Sequence, residues 1–174
     1  MAILTTKLDG AFSKCIRLRA NWTCEFPGCG KFFPEGETGG LDCSHVEGRR
    51  SRSVRWFPDN AFAMCKYHHR FLGENPLLHS ELALRALGVK RFSELKEMAH
   101  SPRKFTPREL EGLYQFYLAE LKRMRLAREN GRLGRIEFEF PNPIPEAAPR
   151  KKAKKKEPSK FKRKLDGTVV ERAA

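Results

Sequence analysis

Two pairs of potential metal ligands, far apart in the chain, constrain its fold more than any other feature. The segment "CEFPGCGK" (24–31) places Cys24 and Cys29 on either side of a Pro-Gly turn, and such a turn lets two thiolates converge on one ion. Cys65 and His68 are spaced i, i+3, which puts both side chains on one face of a helix. Three thiolates and an imidazole suit Zn²⁺. We therefore predict a structural zinc site at these four residues.

The alternative interpretation of each cysteine is a small buried hydrophobic residue. That alternative is favoured for Cys15, on the apolar side of a predicted first helix, and for Cys43, within a predicted strand, although Cys43 could substitute as a ligand. The start of the chain does not resemble a signal peptide. Five cysteines in such a chain indicate reduced thiols and metal binding rather than disulfides.

Local signals predict an α+β arrangement of short elements. A helix is expected over 9–20, with Asp9 as its N-cap, and a strand at "GGLDCSHV" (39–46). The pattern becomes helical from Asp59, and a later helix is expected to end at Gly88. These elements would surround the zinc site.

A capping box at "TPRE" (106–109) predicts a further helix over 107–130, with an apolar packing face. Beyond it, "EFEFPNPIPEAAP" is typical of an extended linker, and the Lys/Arg block that follows has too few apolar residues to fold alone. The predicted organisation is an N-terminal helix (1–20), a zinc-bearing core (21–76), a helical extension (77–130), and a proline-rich linker with a disordered basic tail (131–174).

The charge of the chain favours a polyanionic partner. Lysine and arginine number 35 against 21 acidic residues, a formal net charge of +14, and the segment 149–164 holds ten of these bases and one acid. Such a surplus favours nucleic acid. Since no apolar run reaches the roughly 18 residues of a membrane span, the expected location is the cytoplasm.

Two further histidines need an explanation. His69 directly follows His68, and neighbours on a helix point about 100° apart, so His69 does not share the zinc ion. Leu41, Cys43 and His45 alternate along one face of the predicted strand. If that face is the inner one, His45 points toward the helix that starts near Asp59 and carries His69, and the two form a candidate pair.

The combination of these residues resembles a known family. Cysteine pairs that bracket a strand histidine, an asparagine before the third ligand and a histidine after the fourth resemble the HNH, or ββα-metal, endonucleases. The segments "FSKCIRLRANWTC", "LDCSHVEGRRS", "RWFPDNAFAMC" and "HHRFLGENP" are more narrowly similar to the phage NinG/Rap recombination nucleases. The resemblance covers about 9–90, and it implies a small zinc-stabilised ββα-metal core with added N- and C-terminal helices.

The resemblance also implies roles for individual residues. His45 would be the general base that activates water, and Asn60 would hold that base in place. His69 would bind the catalytic ion, Mg²⁺ or Mn²⁺. Many family members have an Asp or His ligand directly before the base, where this chain has Ser44, so Asp42 is a second candidate ligand.

DNA is the partner that the resemblance implies, branched or single-stranded and formed in recombination. Arginines near the predicted strand and the lysine block are suited to phosphate contacts. The candidate DNA-binding residues are Arg17, Arg19, Arg49, Arg50, Arg52, Arg55, Lys151, Lys152, Lys154, Lys155 and Lys156. Host or phage recombination proteins and a second copy of the chain, in a homodimer, are further candidate partners. The 107–130 helix could pair with a partner, but core packing explains it without one. If the chain is phage-encoded, the expected cytoplasm is that of a bacterial host.

Two other classes of protein fit part of the sequence. A non-catalytic zinc module that binds nucleic acid explains the charge and the four zinc ligands, but it gives His45, Asn60 and His69 no reason to occur together. A structural or RNA-associated zinc protein explains the lysine-rich tail. The leading hypothesis is a metal-dependent DNA endonuclease.

Overall fold

A computed structural model describes residues 2–36, 40–148, 161–163 and 169–171. The five candidate lysines of the tail lie outside the described residues. The elements are α1 (Ala2–Arg19), β1 (Leu41–His45), β2 (Ala61–Cys65), α2 (Lys66–Glu74), α3 (Pro76–His100), α4 (Pro107–Glu129), β3 (Phe161–Arg163) and β4 (Val169–Glu171). The fold is therefore α+β, as the sequence predicted. None of the helices in the described part of the chain is both long and apolar enough to cross a membrane.

The centre of the fold is the antiparallel pair of β1 and β2, followed at once by α2. His45 lies opposite Ala61, and Leu41 lies opposite Cys65. Every residue of β2 is buried, because α1 packs on one face of the pair while α2 lies on the other. A strand covered on both faces is apolar throughout, which explains the sequence "AFAMC".

The first helix begins earlier than its sequence signal suggested. α1 starts at Ala2, so Asp9 lies inside the helix and does not cap it. Its carboxylate instead accepts hydrogen bonds from Arg55 Nε at 2.9 Å and from Trp56 Nε1 at 2.8 Å. The N-cap prediction was wrong because the true partners of Asp9 are remote in sequence.

The predicted helix from Asp59 was also wrong. Residues Pro58–Asn60 form a short 3₁₀ turn, Ala61–Cys65 form β2, and the helix begins only at Lys66. Cys65 is therefore the last residue of the strand and the N-cap of α2. It still lies close to His68, one turn into the helix.

The capping box of α4 is confirmed. The Thr106 side chain accepts from the Glu109 N–H at 3.1 Å, and the Glu109 carboxylate accepts from the Thr106 N–H at 2.7 Å. α4 packs against α1, where the Tyr117 ring meets Phe12 edge-on with ring centres 5.3 Å apart. This pair of helices supports the hairpin from the α1 side.

Gly88 interrupts its helix as predicted, but the chain resumes a helical path to His100. Gly88 has φ 76° and ψ 165°, a backbone conformation that is essentially limited to glycine. α3 is thus two helical segments joined at this residue.

Part of the predicted proline-rich linker packs on the core. Ile136 and Phe138 are each only 6% exposed and belong to the core, so this part of 131–148 is docked rather than a free linker. Alternation along "IEF" buries these two side chains on one side. In the predicted disordered tail, the backbones of β3 and β4 pair antiparallel.

A candidate metal centre and the polar residues around β1

The turn at 24–31 presents its two cysteines in one direction. Cys24 N–H donates to the Lys31 carbonyl at 2.9 Å, and Cys29 N–H donates to the Phe26 carbonyl at 3.0 Å. Gly28 and Gly30 have φ of 77° and 58°, which other residues adopt only at a cost. The glycines therefore permit a turn tight enough for both thiols to meet.

The four predicted zinc ligands come together. One donor atom from each of Cys24, Cys29, Cys65 and His68 lies within 4.8 Å of all the others. His68 Nδ1 is 3.6 Å from Cys24 Sγ and 3.2 Å from Cys65 Sγ. Zn–S and Zn–N bonds of about 2.3 and 2.0 Å at a tetrahedral angle give an S···N edge of about 3.5 Å. The cluster can hold a metal ion of zinc-like preference.

The surroundings of this candidate metal centre fix the imidazole and act on the thiols in opposite directions, since burial raises the pKa of Cys24 to about 11 while the pKa of Cys29 is lowered. Burial alone would raise the pKa of Cys29, but the Lys31 N–H and the Cys24 and Cys65 thiols outweigh it and lower that pKa. The His68 ring stacks on Phe26 with centres 3.9 Å apart and planes at 6°. The ring is therefore held in the orientation that directs Nδ1 at the thiols.

The other two cysteines lie elsewhere, as the alternative interpretation predicted. Cys15 is buried and donates to the Tyr117 carbonyl at 3.3 Å. Burial raises the pKa of Cys43 to about 12, so it stays a neutral thiol. Neither belongs to the metal centre.

His45 is held by one hydrogen bond at the end of β1. Its Nε2 is 3.0 Å from the Arg55 carbonyl oxygen, and because a carbonyl only accepts, Nε2 carries the hydrogen. Nδ1 therefore has a free electron pair. Burial lowers the pKa of His45 to about 4, so its imidazole is neutral at physiological pH.

Asn60 joins the two ends of the loop that presents Arg55 to His45. Its Oδ1 accepts from the Glu47 N–H at 2.7 Å, and its Nδ2 donates to the Glu47 and Val54 carbonyls at 2.9 and 3.0 Å. The side chain is fully buried, and buried hydrogen bonds of this kind specify one loop conformation. Asn60 thus acts on His45 indirectly, through the loop.

Asp42 and His69 meet on the opposite side of β1. His69 Nδ1 is 3.0 Å from Asp42 Oδ2, with the two side chains 45% and 38% exposed. Alternation places Asp42 on the face away from Cys43 and His45, and α2 brings His69 to that face.

The expected direct pairing of His45 with His69 was wrong. Both residues are in the described part of the chain, and no contact there joins them. The inward face of β1 is covered by α1, so the His45 ring lies 5.9 Å from the Phe12 ring rather than against α2. Sequence reasoning had no means of knowing which helix covers that face.

His79 is a polar residue that sequence reasoning missed. It is 5% exposed and lies on α3 with its ring centre 6.5 Å from the Phe62 ring. Its Nε2 has no hydrogen-bond partner among the described residues. Burial, followed by the charges of His69 and His45, lowers the pKa of His79 to about 4, so it lies within electrostatic range of both. A lone His in "LLHSEL" gives no sequence signal beyond a helix packing face.

Some of the candidate DNA-binding arginines are exposed, and the others form hydrogen bonds or ion pairs within the fold. Arg49, Arg50 and Arg52 are exposed, as a phosphate contact requires. Arg19 is 1% exposed and donates to the Pro58 and Ala61 carbonyls, so its predicted DNA contact was wrong: it anchors the hairpin to α1.

Arg17 and Arg55 are also engaged within the fold. Arg17 Nη1 donates to the Leu41 carbonyl at 3.2 Å. Arg55 forms an ion pair with Asp9. Both are partly buried, so the basic surface near β1 depends mainly on the three exposed arginines.

Comparisons with models of protein families, with curated proteins and with solved structures gave no significant match to this chain.

Proposed function

We propose that this protein is a metal-dependent DNA endonuclease of HNH type, with branched or single-stranded DNA of recombination as its substrate class. The observation that carries the proposal is the state of His45. It is a neutral imidazole whose Nε2–H is fixed on the Arg55 carbonyl, by a loop that Asn60 holds closed through three hydrogen bonds.

In this proposal, His45 removes a proton from the attacking water. Its free Nδ1 accepts the proton while the Arg55 carbonyl keeps the ring oriented and favours the imidazolium that forms. The Asp9 carboxylate also favours that imidazolium, whereas the charges of Arg49 and Arg55 oppose it. A phosphate anion bound beside His45 would raise its pKa from about 4 toward neutrality, because an opposite charge favours the protonated ring. Binding of substrate therefore makes the base stronger.

Asp42 and His69 would hold the catalytic ion. Ligands at right angles, each about 2.1 Å from an Mg²⁺ or Mn²⁺ ion, stand about 3.0 Å apart, which equals the 3.0 Å between Asp42 Oδ2 and His69 Nδ1. Both side chains reach solvent, so water can fill the other positions, as Mg²⁺ prefers. The bound ion would stabilise charge on the phosphate and on the leaving oxygen.

Zinc at the four-ligand centre would have a structural role. Cys65 ends β2 and His68 lies in the first turn of α2, so the ion would fix the angle at which α2 leaves the hairpin. That angle determines where His69 meets Asp42.

The test is cleavage of plasmid DNA and of linear, gapped, flapped and four-way oligonucleotides with Mg²⁺ or Mn²⁺. The His45→Ala protein should lose at least about 100-fold in rate, a typical contribution of a general base. The His69→Ala protein should lose activity and need more metal. His100→Ala, an exposed histidine on α3, is the matched control, and zinc content and thermal melting establish folding.

Equal cleavage by the wild-type and His45→Ala proteins would refute the assignment of the base. Cleavage by neither would favour the second candidate, a non-catalytic zinc module that binds nucleic acid. The lack of contact between His45 and His69 is the observation that favours this second function.

A further inference from the structure

The surface around Asp42 and His69 contains side chains that the proposed chemistry does not use. Asp42 and His69 line an open depression of about 800 Å³, whose other walls include Lys66, Tyr67 and Arg70 of α2. On this short helix, Lys66 and Tyr67 come directly before the two histidines, and Arg70 directly follows them. They form what we call the α2 rim.

The α2 rim has two cations without protein partners. Lys66 and Arg70 are both exposed, and neither forms an ion pair or hydrogen bond with any described residue. Most other arginines of the described chain are paired, such as Arg91 with Asp59 and Arg125 with Glu35. The depression is also lined by Glu74, but unpaired cations at its edge are complementary to a phosphodiester backbone.

Tyr67 supplies an exposed aromatic face between these cations. Its side chain is 64% exposed, although the ring is kept in place by His68 and Phe71. It meets His68 edge-on at 5.1 Å and 76°, and it lies parallel to Phe71 at 6.3 Å and 2°. A large aromatic ring that is both exposed and held by its neighbours is a platform on which a nucleobase can stack.

We propose that Tyr67 stacks on an unpaired base next to the scissile phosphate while Lys66 and Arg70 bind the flanking phosphates. A base inside a duplex is already stacked on its neighbours, so this surface selects strands with an unpaired nucleotide, as in gaps, flaps and branches. The inference rests on the proposed function, because it places the bound strand over the Asp42 and His69 pair. It identifies Tyr67 as a specificity-determining residue.

The experiment measures binding apart from cleavage. Two ligands are compared. One is an oligonucleotide duplex with a short single-stranded gap that carries 2-aminopurine, and the other is the matched continuous duplex. Each is bound to the His45→Ala protein without Mg²⁺. Binding should quench the 2-aminopurine fluorescence in the gap. Tyr67→Ala in the same background should abolish the quenching and weaken binding to gapped DNA about 10-fold, while duplex binding changes less than about 2-fold.

Matched variants separate stacking from folding. Tyr67→Phe and Tyr67→Trp should retain quenching and affinity because each keeps a ring. Phe32→Ala is the control, since Phe32 is 60% exposed and lies outside the depression; it should behave as the parent does. Zinc content verifies that α2 is intact in each variant.

Two results would overturn the inference. The first is that the Tyr67→Ala protein quenches the 2-aminopurine fluorescence as strongly as its parent does. The second is that Tyr67→Ala lowers the affinity for gapped and for continuous DNA by the same factor. Because these readouts need no catalysis, they remain decisive even if the wild-type protein cleaves nothing, which would refute only the nuclease.

Discussion

Three buried or half-buried polar side chains around the hairpin differ in how many of their polar atoms form hydrogen bonds. Asn60 satisfies its amide fully, through three hydrogen bonds. His45 uses one nitrogen for the Arg55 carbonyl and keeps the other free. His79 leaves a buried Nε2 without a partner among the described residues, which costs on the order of 1–3 kcal/mol. A buried polar atom without a hydrogen bond in a folded protein calls for an explanation, of which a functional role is one.

Neutral His79 should make stability depend on pH. Its pKa falls from 6.5 in the unfolded chain to about 4 in the fold, so the unfolded chain binds more protons between these values. The stabilisation is complete above pH 6.5 and is lost as the pH falls toward 4. Its full size is about 3 kcal/mol.

The check is urea unfolding at pH 7.5 and pH 5.0 of the wild type and of His79→Leu. The wild-type free energy of unfolding should drop at the lower pH, and His79→Leu should reduce that drop by roughly 2 kcal/mol. His100→Leu, at an exposed position on the same helix, should retain the wild-type drop. A full drop in His79→Leu would show that this imidazole is protonated in the fold.

At the scale of elements, the joint in α3 depends on the backbone of one residue. A Cβ added at Gly88 would meet no atom within 4 Å, yet φ there is 76°. Gly88→Ala should therefore destabilise the protein by about 1–3 kcal/mol through backbone strain alone. Gly10 provides the matched comparison. A Cβ there would also meet no atom within 4 Å, but Gly10 lies inside α1 without a positive φ, so Gly10→Ala should stabilise the protein by up to about 1 kcal/mol. Chemical denaturation of the two variants measures the contrast, and a stable Gly88→Ala protein would mean that α3 can straighten.

How much the sequence predicts depends on how far apart the interacting residues lie. The capping box of α4 was predicted well because its donors and acceptors lie within Thr106–Glu109. The role of Asp9 was not, because its partners are Arg55 and Trp56. The four residues of the candidate metal centre are the exception, since the ligand chemistry of cysteine and histidine predicts their association at any separation. His79 could not be predicted as a site residue, because only the packing of α3 on Phe62 brings it near His45 and His69.

At the scale of the whole molecule, the candidate metal centre should reinforce a junction that Glu25 and Ala63 also hold, through backbone and carboxylate hydrogen bonds of 2.8 and 2.7 Å. It links the 24–31 turn to the end of β2 and the start of α2. We expect one zinc per chain, and its removal by a chelator should lower the melting temperature and reduce the helix signal in circular dichroism. Cys29→Ser should bind less than one zinc, whereas Cys15→Ala, outside the centre, should keep one. A chain that melts identically with and without metal would contradict a structural role.

The basic tail and the folded part should contribute to DNA binding in different ways. The segment 149–164 carries ten of the 35 basic residues, and each phosphate that it neutralises adds about 0.9 to the slope of log K against log salt concentration. Glutamine at Lys151, Lys152, Lys154, Lys155 and Lys156 should therefore reduce that slope by at least about 3, and affinity should fall for every DNA. The preference for gapped over continuous duplex should persist, because charge alone does not distinguish an unpaired base from a paired one. Binding titrations of the wild type and this variant measure both quantities. They are carried out from low to moderate salt, with the gapped and the continuous duplex, and give the salt dependence and the preference for gapped DNA. An unchanged slope would exclude the tail from binding, while a lost preference would place the selectivity in the tail rather than in α2.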